Sequence, residues 1–246
     1  MICWNKIEDF HIEEPTALSL GKFDGVHRGH EALIEHLLEK KKEGLKAVVF
    51  TFDIPPKKLT ENNNYRVLST NKEKQEILKE RGIDYLLECP FTKEVMCMEP
   101  EAFVAWIVKS LHVKSMVVGS DFRFGHNRKG DHILLEKLSA TYGYTLRVVD
   151  KIQYEGRDIS STFVREQIIK GNMEKANDLL GYPFFVKSES WKAAWKNARN
   201  PDDQYGTCGR KTSSAERCIC NCGRDWWKIL HRCDKCRMQT DRQSFQ

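Results

Sequence analysis

The chain has 246 residues, 40% of them hydrophobic, with 40 Lys+Arg against 35 Asp+Glu; that is room for one sizeable core and too even a charge balance for a broad nucleic-acid-binding face. The formal +5 sits at one end: residues 188–246 hold 12 Lys+Arg against 7 Asp+Glu, which leaves 28 of each in residues 1–187. No apolar run reaches the ~20 residues of a membrane span and the N-terminus lacks the apolar segment of a signal peptide, so the expected setting is the cytoplasm, with small molecules rather than nucleic acid or membrane as partners.

In chain order the hydrophobic pattern alternates short strands with longer helices. Strands are expected at 16–20, 46–52, 84–88, 115–119 and 145–149, and helices at 28–43, 71–81, 99–111, 131–142, 161–170 and 173–180. Leu33, Ile34, Leu37 and Leu38 recur near the helical period, and Gly171 is a stop between the last two helices. Lys46–Phe52 and Ser115–Gly119 read as strands covered on both faces. Strand after helix, repeated, predicts an α/β domain with a mainly parallel, Rossmann-like sheet over residues 1–186, followed by an irregular tail over 187–246.

The chemistry-bearing residues fall near the carboxyl ends of the expected strands, where ligands lie in such sheets. After the first of these strands comes Gly21-Lys22-Phe23-Asp24-Gly25-Val26-His27-Arg28-Gly29-His30-Glu31. Gly21, Gly25 and Gly29 let backbone approach a ligand, and the free N–H groups of the helix start suit phosphate oxygens. One histidine at a helix start is ordinarily a cap or a core residue. The pair His27 and His30, bracketing Gly29, points instead to two imidazoles donating to one anion, with added positive charge if either is protonated. A second stretch, Val117-Val118-Gly119-Ser120-Asp121-Phe122-Arg123-Phe124-Gly125 with Gly130-Asp131 beyond it, places a carboxylate beside two phenylalanines that suit either a core or a stacking role. A third, Ile159-Ser160-Ser161-Thr162-Phe163-Val164-Arg165, puts Ser161 and Thr162 at a helix start with Arg165 one turn on, able to reach back to phosphate. Alone, those residues suit a plain cap and a solvated arginine equally.

The three motifs, in this order over roughly the first 185 residues, resemble the adenylyltransferase module of prokaryotic bifunctional riboflavin kinase/FAD synthetases. The resemblance implies transfer of AMP from MgATP to the phosphate of FMN, giving FAD and pyrophosphate. It implies His27, His30 and Arg165 as catalytic residues, Gly21, Lys22, Phe23, Asp24, Gly25, Ser161 and Thr162 around ATP, and Asp121, Phe122 and Phe124 around FMN. Mg²⁺ is expected to arrive with the nucleotide, held by phosphates and water rather than by a resident protein site. One departure is Pro55, in Thr51-Phe52-Asp53-Ile54-Pro55-Pro56, where relatives commonly carry a histidine; Lys57 and Lys58 follow it. The alternatives are another small-molecule nucleotidyltransferase and a catalytically decayed flavin- or nucleotide-binding module.

The family continues with a riboflavin kinase domain carrying a GxxLGxPTxN-like motif, which is not written in this chain. Instead the tail holds six of the nine cysteines and four of the six tryptophans. Cys218, Cys220, Cys222, Cys233 and Cys236 with His231 make only an irregular zinc spacing. The genetic code offers another reading. With the frame shifted by one base, every Trp codon (TGG) yields glycine, and Trp195 to Gln204 decodes through allowed codons as GRTLGIPTIN. Cys218 to Cys222 likewise decodes as VYVTV, and Gly223 to Arg237 as VEIGGKYYTGVTNVG. The tail is therefore expected to be an out-of-frame remnant of the kinase domain, testable on the coding DNA, and riboflavin phosphorylation is not expected. Loss of that domain predicts uncovered apolar surface around Leu179, Leu180, Tyr182, Phe184 and Phe185.

Overall fold

The computed structural model describes residues 1–53, 67–187 and 217–219. Six strands form one wholly parallel sheet: β1 (Ile2–Trp4), β2 (Thr16–Leu20), β3 (Lys46–Phe52), β4 (Tyr85–Cys89), β5 (Val113–Gly119) and β6 (Thr145–Val149), in the spatial order β1-β4-β3-β2-β5-β6. The helices between them are α1 (Arg28–Lys42), α2 (Asn71–Glu80), α3 (Lys93–Cys97), α4 (Pro100–Leu111) and α5 (His132–Tyr142), with α6 (Ser161–Ile169) and α7 (Met173–Leu180) following the sheet.

The period of two along each strand divides the core between the two faces. Ala17, Ala47, Val49, Leu86 and Val117 pack with Leu33, Ile34 and Leu37 of α1 and Ile77 and Leu78 of α2. The alternate residues Leu18, Val48, Phe50, Leu87, Met116 and Val118 pack with Phe103, Val104 and Ile107 of α4 and Leu135 of α5. This double covering explains why the sequence of β3 is apolar on both sides.

Local chemistry sets the helix ends. Thr70 and Glu73 form a capping box at α2, the hydroxyl accepting from the Glu73 N–H at 3.1 Å and the carboxylate from the Thr70 N–H at 2.8 Å. Pro100 opens α4 at N1, and Asp131 caps α5 by accepting from the Leu134 N–H.

Sheet order matters for function because the chain leaves β2 toward β3 on one side and β5 lies on the other. The crevice beyond the carboxyl ends of β2 and β5 is the topological switch point.

The expected elements are all present, within two residues at each end. Among the elements the pattern did not predict are β1, the helix α3 and a small antiparallel hairpin, β7 (Gln153–Tyr154) with β8 (Arg157–Asp158). The expected exposure around residues 179–185 is corrected: Leu179, Leu180 and Phe184 are buried in a third cluster with Ile159, Phe163, Val164 and Ile168. Beyond Lys187, Arg217–Ile219 is described, as a strand β10 paired antiparallel with β9 (Phe185–Lys187). The cysteine spacing, the frame-shifted reading beyond that strand, and Pro55 with Lys57 and Lys58 lie outside the described residues.

Candidate functional site

Between β2 and α1 the backbone runs through a contorted loop. Phe23 (φ 47°), Gly25 (φ 80°) and Val26 (φ 36°) all lie in the left-handed region, which glycine tolerates and a β-branched residue rarely adopts. A Cβ on Gly25 would stand 2.7 Å from the Leu68 side chain. Strain of this kind costs on the order of 1–3 kcal/mol per non-glycine residue and persists only where surroundings over-determine it.

They do so here. The Thr51 hydroxyl donates to the Lys22 carbonyl at 3.0 Å, the Ser161 hydroxyl to the Asp24 carbonyl at 2.9 Å, and the Ser69 hydroxyl accepts from the Gly25 N–H at 3.1 Å. The Asp24 carboxylate is 5% exposed and accepts from the Leu68 N–H at 2.7 Å through one oxygen. Its other oxygen pairs with Arg165 at 3.1 Å. Residues 141 positions apart in the chain thus meet in one part-buried ion pair, which ties the first motif to the third.

His27 is the N-cap residue of α1, and its carbonyl accepts from the N–H groups of His30 and Glu31. The two imidazoles stack with centroids 3.9 Å apart and planes at 25°. Burial pulls the His27 pKa down to about 4, and burial together with the neighbouring His27 and Lys74 holds His30 well below its ordinary value. Both shifts favour the neutral rings in the ligand-free protein, so the condition for added positive charge, a protonated imidazole, is disfavoured there. The Nδ1 atoms of both make no protein hydrogen bond. Buried polar atoms ordinarily have partners, so both rings hold an unsatisfied nitrogen inside the protein.

At the third motif, Ser160 caps α6 by accepting from the Phe163 N–H at 3.2 Å. Ser161 is occupied by the Asp24 carbonyl, and the Thr162 hydroxyl accepts from Arg165 at 3.4 Å. Arg165, with a side chain 17% exposed, is not the solvated arginine its sequence context allowed. The starts of α1 and α6 lie together: a Cβ on Gly29 would be 3.6 Å from the Ile159 carbonyl oxygen. Two helix N-termini, the paired imidazoles and the guanidinium held by Asp24 therefore lie close together, a combination whose donors suit an anion.

Other expected residues take supporting positions. Phe23 is fully buried and packs against His30 at 4.9 Å between centroids, so its side chain backs the imidazole instead of touching a nucleotide. Gly21 donates its N–H to the Phe50 carbonyl. Lys22 is exposed at the loop's edge. In the second motif Phe124 is buried against Phe103, and Phe122, partly buried, stacks on it at 5.6 Å and 15°. Phe124 thus belongs to the core, and only Phe122 offers a partly open face. Asp121 is exposed and paired with Lys151 at 3.1 Å; Lys151 also reaches Asp158 of the hairpin at 3.3 Å.

Beneath the site lies a cluster that charge patterning gave no reason to expect. Lys74 and Glu88 are buried, 3.6 Å apart, with Gln75 donating to the same carboxylate at 2.8 Å. Burial pulls the Lys74 pKa down while Glu88 and Asp24 hold it up. Among the described residues no group of three or more His, Cys, Asp or Glu is arranged to hold a metal ion, and no helix is long and apolar enough to cross a membrane.

Comparison with known proteins agrees with this geometry. Residues 9–163 match the family described as FAD synthetase. The chain is similar to the bifunctional riboflavin kinase/FMN adenylyltransferase of Escherichia coli strain K12, with 37% identity over 71% of this chain and 56% of that protein. It is also similar to a FAD synthetase of Listeria monocytogenes, with 35% identity over 70% of each chain. It spans about half the length of the bifunctional relatives from Escherichia coli and Listeria monocytogenes. Among solved structures, one titled a macrolide-efflux protein from Streptococcus pneumoniae superposes with a TM-score of 0.68 at 28% identity, over 76% of this chain and 63% of that one.

Proposed function

Because the chain belongs to the FAD synthetase family, we propose that it transfers AMP from MgATP to the phosphate of FMN, releasing pyrophosphate and forming FAD. The phosphate of FMN is already an anionic nucleophile, so the site needs no strong base. It needs in-line placement and stabilisation of the charge that develops on the leaving pyrophosphate. His27 and His30 supply N–H donors to the triphosphate, and Arg165 supplies a fixed positive fork held in place by Asp24. The N–H groups at the start of α1 and α6 complete the cradle. Neutral histidines suit this role, since an uncharged donor costs less to bury than a charged one while the site is empty.

FMN would approach from the second motif, with Phe122 as the apolar shelf and Asp121 at the rim. Mg²⁺ enters as part of the nucleotide substrate and stays on phosphate oxygens and water. We place the reaction in the cytoplasm, with no nucleic-acid or membrane partner, in keeping with the even charge of residues 1–187.

The observation that carries the proposal is the Asp24–Arg165 pair, which joins the loop before the stacked histidines to the third motif. Purified protein given FMN, ATP and Mg²⁺ should release FAD and pyrophosphate in equal amounts, and riboflavin with ATP should give no FMN. Folded protein that binds both FMN and ATP yet forms no FAD would overturn the reaction.

A further inference from the structure

The strained loop has one tether that comes from outside all three motifs. Tyr182 follows the C-terminal end of α7, beyond residue 163 where the family match ends, and its hydroxyl donates to the Gly25 carbonyl at 2.5 Å across 157 positions of sequence. Gly25 is the loop's central left-handed residue, and its N–H is held by Ser69. Its peptide groups are thus clamped on both sides, by Ser69 on the N–H and Tyr182 on the carbonyl. The preceding Gly181 (φ 81°) is seated so closely on α1 that a Cβ there would lie 2.9 Å from Glu31 and 3.4 Å from Arg28. Glu31 in turn pairs with Arg81. The segment leaving α7 therefore rests on the first turn of the helix that opens with His27 and runs straight on into β9.

We propose that Tyr182 is a positioning residue for the nucleotide: its hydroxyl holds Gly25, and through it the Val26-His27 turn, in the conformation that the triphosphate of ATP requires. The proposal rests on ATP being the ligand of this cleft. A loop with Phe23 and Val26 at positive φ has lower-energy conformations available once a tether is lost. Binding ATP must then reselect the strained one, and the apparent affinity falls by the fraction of molecules still holding it. The hydroxyl stays protonated and hence a donor, because burial and the nearby carboxylates Asp24, Glu73 and Glu31 raise its pKa. Since the same segment continues into β9, ATP affinity becomes sensitive to how the chain beyond Gly181 is seated.

The test is Tyr182→Phe in the full chain, which removes one oxygen and leaves the ring. The matched control is Tyr144→Phe, since Tyr144 makes an equivalent buried bond to the Leu135 carbonyl at 2.6 Å, in α5 away from the loop. Tyr182→Phe should raise KM for ATP about fivefold, the loss of one hydrogen bond leaving about a fifth of the free molecules with the strained loop. It should leave kcat and KM for FMN within about twofold and reduce the rise in melting temperature that ATP produces. The control should lower the melting temperature of the free protein without moving KM for ATP. If Tyr182→Phe behaves like the control, the hydroxyl serves stability alone and the proposal fails. An ATP-induced rise in melting temperature in a wild-type chain that makes no FAD would sink the acceptor assignment while leaving Tyr182 testable. A wild-type chain whose melting temperature ATP does not move overturns both.

Discussion

The loop after β2 and the loop after β5 lie on adjacent strands and face the same crevice, yet they are built in opposite ways. In the first, Asp24 and His27 are 5% and 6% exposed, the backbone is strained, and side chains from four distant places hold it. In the second, the Asp121 side chain is 67% exposed and leans on a single exposed lysine, while the phenylalanines below it are stacked into the core. A polyphosphate needs donors fixed in advance, because any reorganisation during reaction raises the barrier. A flat aromatic ligand needs an apolar floor and tolerates an adjustable rim. The proposed nucleotide side is thus rigid and strained, and the proposed flavin side is relaxed and partly open.

The largest effect on stability should come from breaking the tie on the rigid side. Asp24→Ala removes the carboxylate from the half-buried Arg165 and the acceptor from the buried Leu68 N–H, and should cost about 2–4 kcal/mol of stability in a denaturant melt. Asp24→Asn keeps an acceptor for Leu68 and should recover part of that loss. Next, His27→Ala or His30→Ala should lower kcat/KM for ATP by roughly a hundred- to a thousandfold, about 2.7–4 kcal/mol of transition-state stabilisation. KM for FMN should stay within about twofold. Because the rings stack at 3.9 Å, the double variant should fall short of the product of the two single effects.

The rigid side was also the more legible in sequence. Its glycines and histidines are contiguous, and the chemistry of a helix start states what they are for. What sequence did not show is how they are held. Asp24 reads as one more loop carboxylate until the fold brings Arg165 to it, and Tyr182 sits where only an apolar junction was expected. Lys74 and Glu88 read as helix and strand-end charges that belong in solvent, and only the sheet order buries them together. On the second side the ambiguity of Phe122 and Phe124 was real: alternate residues of a turn can point either way, and packing against Phe103 settles Phe124 as core. β1 escaped because three residues carry too little alternation to register.

Acid should sharpen the contrast. Below pH 7 the unfolded chain takes up a proton on His27 near pH 6.5, whereas the folded chain, with this pKa at about 4, does not. The unfolded state then binds more protons, so stability falls as pH falls across the window from 6.5 to 4. By pH 5 His27 alone should have cost about 2 kcal/mol relative to pH 7, with His30 acting in the same direction. Urea melts at the two pH values read this loss directly, and His27→Asn should reduce it. An unchanged midpoint in the wild-type chain would show that the ring is not held neutral.

The smallest effect should come from the second side, and its smallness is the point. Lys151→Ala releases Asp121 from an exposed pair worth at most about 1 kcal/mol. Stability and KM for ATP should not move, and KM for FMN should change by less than about threefold. Added salt should reproduce that change in the wild-type chain, since exposed pairs are screened where buried ones are not. If Lys151→Ala instead abolished FAD formation, the second loop would be as preorganised as the first, and the asymmetry between the two sides of the crevice would not describe how this protein works.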